Sequence, residues 1–599
     1  MSIIQSYNLK TVGAVIVAFT IIVLSYSPSF KGGYLFDDYA NITKNPFFNH
    51  NSIITIESIR KAAFSNFYMD FNRPLAMASL YLDYKLSGGD STVQRVINLL
   101  IHLINMVLVY LVLKKISTVY LLNLNSCELV IMSLIWGILP INVSAVAYIV
   151  QRMTLLSFFF SILSILIYFN YNERRGVWRI FLMFFCVFLG FLCKENSLVA
   201  LAVIFFYDWV FKGDLYKAML VLFLVVSILF IINYEYFFSG YDARVYTPYE
   251  RIITQSRIIF LYLKSIIIPD YNELSLYHDD VVPSESIFRP LTTLVSLLVL
   301  LVVFLFCLIK NKTLVSFGVA WFLLGHSIES TILPLELAFE HRNYFPSVGI
   351  VISFMALYKK ASLSGRLIVI SSYIVFLSMS TYSYSKYWGG EIEAILKKAY
   401  RKDNSLRQNM YAAHIYVAEY DQAEGVVKEK YADLVRYFFN RAKKSYNSGL
   451  SPYFDQIIFE SRSKKYFFDE SFEKIMGIAT LNKIDQSSIN SFYNLTECIV
   501  KVECVIEDGK YKQIFDALYS NQSLNNTKKS ELLLRLSKKY YSENKIDMAI
   551  AVSLKASELD VQNINAYLHL HKYLYEYGDI DKAQYYKMKV KAYDRYNLF

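Results

Sequence analysis

The sequence predicts an all-α protein, in which a polytopic membrane helix bundle of about 11 spans precedes a C-terminal soluble α-solenoid. The first observation is composition: 55% of the 599 residues are hydrophobic and 17% are aromatic, and the apolar residues cluster in long runs. A soluble protein of this length is rarely so apolar, so the runs indicate membrane spans. The second observation is a change to soluble helical composition after about residue 385. We therefore expect a transmembrane domain at 1–390 and a repeat domain at 391–599.

The candidate spans are apolar runs of about 13 to 20 residues. The first run, from Val12 to Tyr26, lacks the cleavage pattern of a signal peptide, so we interpret it as an uncleaved anchor. The segment from Arg251 to Ile268 is apolar but carries several charged residues, which favours an interfacial or re-entrant helix over a span. The predicted spans are 11–27, 95–113, 128–140, 153–171, 179–193, 196–211, 217–236, 291–309, 313–325, 346–358 and 367–384.

Lysine and arginine recur in every second connection between these spans, which the positive-inside rule assigns to the cytoplasm. The same loops contribute to the formal net charge of +11, and no basic stripe with interleaved aromatic residues favours a nucleic-acid partner. With an odd span count and a cytoplasmic N-terminus, the repeat domain is predicted to lie outside the cytoplasm. The basic residues of these connections are Lys114, Lys115, Arg174, Arg175, Arg179, Lys212, Lys217, Lys310, Lys312, Lys359, Lys360 and Arg366.

The alternate connections face outward in this topology, and they hold the unusual polar sequence. The largest is 28–94, where the stretch "GYLFDDYANITKNPFF" places Asp37 and Asp38 side by side after the first span. Two adjacent carboxylates repel each other, which raises the apparent pKa of one and favours an acid/base role. The alternative is a helix N-cap, since "DDYANI" can open a short helix. We interpret 28–94 as the catalytic loop and the two aspartates as the catalytic candidates.

Other outward connections carry cations at the ends of separate spans. Cations at the membrane surface, at the depth of the lipid headgroups, are well placed to bind an anionic headgroup. Arginine can donate two parallel hydrogen bonds to phosphate oxygens. Each cation alone has an alternative reading as a snorkelling side chain or a solvated loop charge. Together with the carboxylates they predict an outward-facing cavity for a lipid-linked sugar phosphate. The predicted phosphate-binding residues are Arg73, Arg152, Lys194, His341 and Arg342, and the supporting residues are Gln151, Glu195, Glu340 and Tyr344.

The repeat domain ends in two similar segments. Asp547 and Ala549 recur as Asp581 and Ala583, an offset of about 34 residues that is typical of tetratricopeptide helix hairpins. Such arrays form a concave surface for peptides or partner proteins, and the alternative is a purely structural helical cap. Cys498 and Cys504 are the only two cysteines in polar sequence. If the domain is outside the cytoplasm they can form a disulfide, and the alternative is two ordinary thiols.

Taken in order, the motifs resemble those of one family. They run "FDDYANITKNP", "NRPL", "LPINVSAVAYIVQRM", "FLCKENSL", "ESTILPLELAFEHRNYFPSVG" and then the repeats. This order is similar to that of the multispanning inverting glycosyltransferases of the GT-C class with tetratricopeptide tails, typified by the transmembrane and tetratricopeptide repeat-containing O-mannosyltransferases and their bacterial relatives. The resemblance covers essentially the whole chain, most strongly residues 30–350. Cys193, before Lys194, departs from the small residue expected there.

The resemblance implies a membrane glycosyltransferase with a polyprenyl-phosphate sugar donor, dolichyl in eukaryotes and undecaprenyl in bacteria. The first outward loop of this family bears the acidic catalytic motif, which corresponds here to Asp37 and Asp38. The acceptor is then a protein, modified by O-glycosylation, or an envelope glycan, and the repeats are candidates to hold it. For a bacterial chain the expected location is the inner membrane, with the repeat domain in the periplasm.

Two other functions fit parts of the sequence. A polymerase or ligase that uses a diphosphate-linked glycan favours a long outward loop late in the bundle, whereas the largest loop here is the first. A non-enzymatic assembly factor, in which the bundle only anchors the repeats, gives no reason for an aspartate pair at a span end.

The sequence predicts no cofactor with certainty, and a divalent metal stays open because no third carboxylate is clearly placed. The sugar and the acceptor are also open.

Overall fold

The structure, a computed structural model, describes most of the chain, and the regular elements within the described residues are all helical. Arg174 and Arg175, on which part of the orientation prediction depends, lie outside those residues. The described ranges are 9–49, 53–65, 72–173, 176–213, 215–238, 240–241, 244–360, 363–446, 448–462, 469–481, 483–504 and 506–593.

Internal contacts divide the chain into two compact units near the predicted domain boundary. The first unit continues past residue 390 because Lys398 donates hydrogen bonds to the backbone carbonyls of Tyr271 and Leu274. The second unit includes a short segment from the middle of the chain, where Lys483 donates to the carbonyl of Tyr241 at 2.7 Å. The first unit comprises Met1–Phe238 and Pro248–Arg401, and the second comprises Ser239–Thr247 and Lys402–Phe599.

Helices α1 to α18 belong to the first unit, and each predicted span coincides with one of them. Their bounds are α1 (Leu9–Tyr26), α2 (Pro46–Asn49), α3 (Ile56–Ala63), α4 (Pro74–Leu86), α5 (Ser91–Val119), α6 (Ser126–Gly137), α7 (Val143–Ala147), α8 (Arg152–Glu173), α9 (Val177–Phe191), α10 (Val199–Val210), α11 (Tyr216–Ile232), α12 (Tyr234–Phe238), α13 (Pro248–Ile267), α14 (Leu291–Ile309), α15 (Leu314–Gly325), α16 (Ser347–Lys360), α17 (Leu363–Trp388) and α18 (Ile392–Arg401).

Several of these helices have the length and composition of membrane spans. Five described segments are long and apolar enough to cross a bilayer, or up to 6 if α6 and the bent segment after it count as one span. Helices α9 and α15 are apolar but shorter. These helices are compatible with a membrane protein, while the count of about 11 spans stays a prediction. The five segments are Leu9–Lys31, Ser91–Val119, Ile149–Tyr171, Leu291–Ile309 and Leu367–Trp388.

Local sequence sets where the helices begin and how closely they pack. Asp90 caps α5, because its carboxylate accepts a hydrogen bond from the Thr92 amide at 2.8 Å. Asn125 opens α6 through reciprocal hydrogen bonds with Glu128. Helices α15 and α16 approach so closely at Gly318 that an added Cβ atom would lie 2.4 Å from the carbonyl oxygen of Gly349. Small residues permit this contact between helices where a larger side chain would hold them apart.

Helix α13, the predicted interfacial or re-entrant helix, is not among the described segments that are long and apolar enough to cross a bilayer, and its charged residues are held by the protein. Arg251 is fully buried, and its guanidinium donates to the carbonyls of Glu329 at 2.8 Å and Thr331 at 2.9 Å. Gln255, one turn later, donates to the carbonyl of Leu337 at 3.0 Å. Because these polar groups face protein backbone, α13 braces the segment between α15 and α16.

The second unit contains the described helices α19 to α28, which include three helix pairs in direct contact: α19 with α20, α25 with α26, and α27 with α28. Ala549 and Ala583, the small residues of the predicted repeat, are both fully buried. Cys498 and Cys504 form a disulfide. The bounds are α19 (Leu406–Gln422), α20 (Gly425–Lys444), α21 (Ser451–Arg462), α22 (Asp469–Leu481), α23 (Gln486–Val500), α24 (Asp508–Ser520), α25 (Asn526–Ser542), α26 (Ile546–Leu559), α27 (Ile564–Tyr577) and α28 (Ile580–Tyr593).

Candidate functional site

The two adjacent aspartates after α1 have different environments. Asp38 is fully buried, and its carboxylate accepts hydrogen bonds from the amides of Leu35 at 3.1 Å and Val150 at 2.8 Å. Asp37 is exposed, and its backbone amide donates to the Tyr148 hydroxyl at 2.7 Å. Asp38 therefore anchors the loop to the protein, whereas the Asp37 side chain is accessible to a ligand.

Burial raises the pKa of Asp38 to about 7, although the amides of Leu35 and Val150 and the charge of Arg95 oppose the shift. Arg95 also fixes the start of the loop, because its guanidinium donates to the carbonyls of Gly32 and Gly33. An ordered loop with a carboxylate at its surface is a suitable platform for acid/base chemistry.

A second set of charged residues lies between the connections that follow α3, α9 and α15. Lys194 forms a buried ion pair with Glu329, with 2.9 Å between Nζ and Oε1, and it donates to the Thr154 hydroxyl at 3.3 Å. The Nε atom of Arg342 lies 4.0 Å from the same carboxylate oxygen of Glu329. Arg73 forms a two-point ion pair with Glu195, at 2.7 and 3.1 Å. The charges of Arg73, Lys194, Glu329 and Arg342 all act on His341.

We call these residues the cation cluster: Arg73, Lys194, Glu195, Glu329, His341 and Arg342. Its three basic side chains face two carboxylates, so basic groups outnumber acidic groups by one within the set. Burial lowers the pKa of Lys194, and the neighbouring carboxylate of Glu329 opposes that shift. Burial raises the pKa of Glu329, but Lys194 and Arg342 outweigh burial and hold it well below its usual range. Burial lowers the pKa of His341, and the neighbouring Lys194 lowers it further, so the ring is neutral. The cluster therefore favours an anionic ligand over a cationic one.

Arg342 carries the clearest sign of an open position in the cluster. Its NH1 atom donates to the carbonyls of Glu336 at 2.7 Å and Leu337 at 3.3 Å, which braces the loop. Its Nε atom is buried without a hydrogen-bond acceptor among the described residues. A buried guanidinium donor without an acceptor is costly, so a ligand oxygen or a water satisfies it best.

One short segment of chain connects the aspartate loop with the cation cluster. In the 3-10 turn Ile149–Gln151, the amide of Val150 donates to Asp38. The next residue, Gln151, accepts a hydrogen bond from the Thr154 hydroxyl at 2.7 Å, and that hydroxyl accepts from Lys194. The turn Ile149–Gln151 thus links the loop that carries Asp37 and Asp38 to the cation cluster, and we take the loop and the cluster together as the candidate site.

The structure places three other predicted site residues outside the cluster. Arg152 is fully buried in an ion pair with Asp83 at 2.5 Å. The Tyr344 hydroxyl lies in the helical core, 2.6 Å from the Nδ1 atom of His102. Glu340 accepts from His278 at 2.9 Å and, through its other oxygen, from a tyrosine of α17. Arg152 and Tyr344 occupy structural networks, and Glu340 holds the segment before α14 against α17.

Sequence reasoning missed Glu329, which contacts two of the predicted cations. It stands in "HSIES", four residues from the end of α15, and an acid so close to a span end is the signal that identified the aspartate pair. Among the described residues no group of three or more histidine, cysteine, aspartate or glutamate side chains is arranged to hold a metal ion.

Comparisons with known proteins found no match to this chain among protein-family models, curated proteins or solved structures.

Proposed function

We propose that the chain is a membrane glycosyltransferase, which moves a sugar from a polyprenyl-phosphate donor to a hydroxyl of a protein or envelope glycan outside the cytoplasm. The observation that carries the proposal is that the loop with the exposed carboxylate of Asp37 is linked, through Asp38 and the turn Ile149–Gln151, to a buried cluster in which basic groups outnumber carboxylates. A glycosyl phosphate requires both groups, because the transfer removes a proton from the acceptor and releases a phosphate.

In the proposed reaction, Asp37 accepts the proton of the acceptor hydroxyl as its oxygen attacks the anomeric carbon. The bond between that carbon and the phosphate oxygen breaks, and the electron pair leaves with the phosphate. Attack opposite the leaving group inverts the anomeric centre. Lys194, Arg342 and Arg73 stabilise the negative charge that develops on the leaving phosphate. Asp38 is a positioning residue, since both of its oxygens accept backbone amides.

An apolar groove in the first unit supports a lipid-carried donor. The groove has a volume of about 550 Å³ and is lined by residues of α6, α13, α16 and α17, including Ile266 and Phe354. Tyr262 lies one turn before Ile266 on α13, and its hydroxyl accepts from the Phe339 amide at 2.9 Å. Helix α13 thus contributes Ile266 and Ile267 to the groove and, through Tyr262, contacts the loop that carries Arg342, and we propose that the polyprenyl chain of the donor occupies this groove.

Two features support an extracytoplasmic site. The cation cluster joins connections that the distribution of basic residues assigns to one side of the membrane. The disulfide of Cys498 and Cys504 in the second unit fits an oxidising compartment. We propose the bacterial inner membrane as the location, with the second unit as a tetratricopeptide-like array in the periplasm and an acceptor as its partner.

The proposal is tested with Asp37→Asn, which preserves shape but removes proton acceptance. We expect turnover of a polyprenyl-phosphate sugar by the purified chain to fall at least about a hundredfold, while the thermal midpoint of unfolding is unchanged. Asp90→Asn is the matched control in the same loop, because asparagine caps a helix as well as aspartate.

The reaction is identified by mass analysis of envelope proteins and glycans from cells with and without the gene. A hexose or other sugar that is lost in the deletion and in Asp37→Asn, but kept in Asp90→Asn, supports the proposal. Wild-type turnover in Asp37→Asn, or an unchanged envelope in the deletion, contradicts it.

A further inference from the structure

Helix α28 is the last described helix of the second unit, and one of its faces packs against α27. Ala583 and Val590 are buried in an apolar cluster with residues of α27. The rings of Tyr586 and Tyr593 stack on Tyr567 of α27, with ring centroids 6.1 and 5.6 Å apart. These contacts fix the rotation of α28 about its own axis, so the opposite side of the helix is its outer face.

The outer face of α28 carries an apolar strip. Tyr585, Met588 and Ala592 follow the spacing of residues on one side of a helix, and all three are exposed. Tyr585 is 48% exposed and Met588 is 64% exposed. The end of a helical array ordinarily presents a polar outer face, because no further repeat covers it. The strip is therefore unusual for a solvated end, and the charges beside it indicate what covers it.

Lysines lie on both sides of this strip. Lys587 and Lys591 are one turn apart on one side, and Lys582 and Lys589 are on the other. Lys582 pairs with Asp579 at 2.7 Å, whereas the exposed side chains of Lys587 and Lys591 form no ion pair with the described residues. The helix contains four lysines and one acidic residue, which is in its first turn, so the outer face is predominantly positive.

We propose that the outer face of α28 binds the surface of a bilayer with anionic headgroups. An apolar strip between rows of lysines is typical of a helix that lies in the interface of such a bilayer. Tyr585 and Met588 enter the boundary between headgroups and acyl chains. The methylene stems of Lys587 and Lys591 extend along the interface and place their ammonium groups next to lipid phosphates.

Shape and connectivity favour a membrane over an acidic polypeptide as the partner. The outer face of a single helix is convex and fits a plane, whereas a polypeptide partner has to supply a groove for it. The same chain carries five segments that are long and apolar enough to cross a bilayer, so α28 is tethered to a membrane, and tethering raises the effective concentration of lipid. Docking of α28 requires the membrane anchorage of the proposed function, and it does not depend on the transfer reaction.

The test uses the full-length chain in nanodiscs of phosphatidylcholine, mixed with sucrose-loaded vesicles that are separated by sedimentation. Vesicles of phosphatidylcholine and phosphatidylglycerol at about 7:3 should bind the chain at least about tenfold more strongly than vesicles of phosphatidylcholine alone. Raising the salt concentration from about 50 mM to about 500 mM should release the chain, because salt screens exposed charges.

Two variants of the outer face separate its charge from its apolar strip. Lys587→Gln combined with Lys591→Gln should weaken binding to the anionic vesicles about twentyfold, which is about fivefold for each lysine. Met588→Ser leaves the charge unchanged and should weaken the same binding at least about threefold, because less apolar surface is buried. The thermal midpoint of unfolding should be unchanged in both, since neither alters the face that packs against α27.

Lys430→Gln combined with Lys512→Gln is the matched control, because it removes the same charge from exposed positions on α20 and α24. This control should bind the anionic vesicles like the wild type. Wild-type binding in the double variant of Lys587 and Lys591, an equal loss in the control, or equal binding to both kinds of vesicle overturns the proposal.

A loss of binding in the double lysine variant without any loss in Met588→Ser also overturns it, because that result indicates a contact with an acidic polypeptide and not insertion into a lipid interface. Vesicle binding that depends on α28 in a chain without transferase activity leaves this proposal standing and counts against the transfer reaction alone.

Discussion

The first unit buries two arginines, Arg152 and Arg342, whose guanidinium donors differ in how completely they are satisfied. Arg152 donates to Asn98 at 2.8 Å and to the carbonyl of Gln94 at 3.0 Å, in addition to its ion pair with Asp83. In the cation cluster, by contrast, the Arg342 Nε atom has no acceptor among the described residues, and basic groups outnumber carboxylates by one.

This difference separates structural cations from candidate binding cations. A guanidinium whose donors are all used by protein atoms can only bind a ligand by breaking those bonds, which costs more than the ligand returns. A cluster with an open donor and an excess of basic groups gains when an anion enters. The presence of an arginine at a span end therefore does not by itself identify a phosphate site. Arg152 in "VQRM" and Arg342 in "EHRN" were equally good candidates from the sequence, but only Arg342 has an open donor.

The largest effect is expected when the structural arginine, Arg152, is replaced, and the affected quantity is the free energy of unfolding. Arg152→Met leaves Asp83 charged and unpaired in the interior, so we expect the free energy of unfolding to fall by about 3–5 kcal/mol. Combining it with Asp83→Asn should recover part of that loss, because the buried charge is removed. Thermal and denaturant unfolding in detergent measure both variants. A stable Arg152→Met protein without transferase activity contradicts the comparison and moves Arg152 into the site.

An exposed ion pair supplies the control for that experiment. Lys264 and Glu273 lie 2.8 Å apart with both side chains more than half exposed. Glu273→Gln should change the free energy of unfolding by less than about 1 kcal/mol, because solvent screens such pairs. A larger change means that the unfolding assay does not report on burial.

A smaller, functional effect is expected in the cation cluster. Arg342→Lys keeps the charge but loses the planar arrangement of donors, including the open Nε group. We expect the thermal midpoint to stay near that of the wild type and turnover to fall at least about tenfold, with a smaller change in apparent donor affinity. Steady-state kinetics at several donor concentrations separate these quantities. Near-normal turnover in Arg342→Lys shows that the residue only braces Glu336 and Leu337.

A pH-dependent effect on stability is expected at Asp38. Its pKa of about 7 in the folded protein is above the value of about 3.9 of an unfolded aspartate. The stabilising contribution of this group is therefore full below about pH 4 and is lost as the pH rises through about 7. The stability of the wild type relative to Asp38→Asn should fall between about pH 4 and about pH 7 and change little at higher pH. A difference that is constant with pH contradicts the assigned burial of Asp38.

The sequence predicted much of the fold and part of the candidate site. Apolar runs located every predicted span on a helix, because burial in a bilayer or a helical core requires the same long apolar segments. From the polar connections between spans, the sequence predicted that Asp37, Arg73, Lys194 and His341 belong to the candidate site. The function, the orientation and the number of spans are predictions that the structure leaves in place as proposals.

Other assignments depended on contacts between residues that are far apart in the chain. The segment 251–268, predicted as an interfacial or re-entrant helix and still a prediction in that respect, has polar residues that donate to backbone carbonyls about 80 residues away, which the sequence did not indicate. The two adjacent aspartates looked equivalent in sequence, but one faces solvent and the other binds the amide of Val150. The sequence shows which residues are charged, but it does not show which partner each of them contacts in the folded protein.

The sequence by itself thus determined the helical class, the positions of the apolar helices and the residue types available for chemistry. These follow from local periodicity and from the cost of exposing apolar side chains to water. Only the tertiary structure decided which charges meet: Glu329 with Lys194 and Arg342 in the cation cluster, and Asp83 with Arg152 apart from it. The physical reason is that the energy of a buried charge depends on the partners that folding brings next to it. These partners are far apart in the sequence, so the sequence alone does not show which charges will pair.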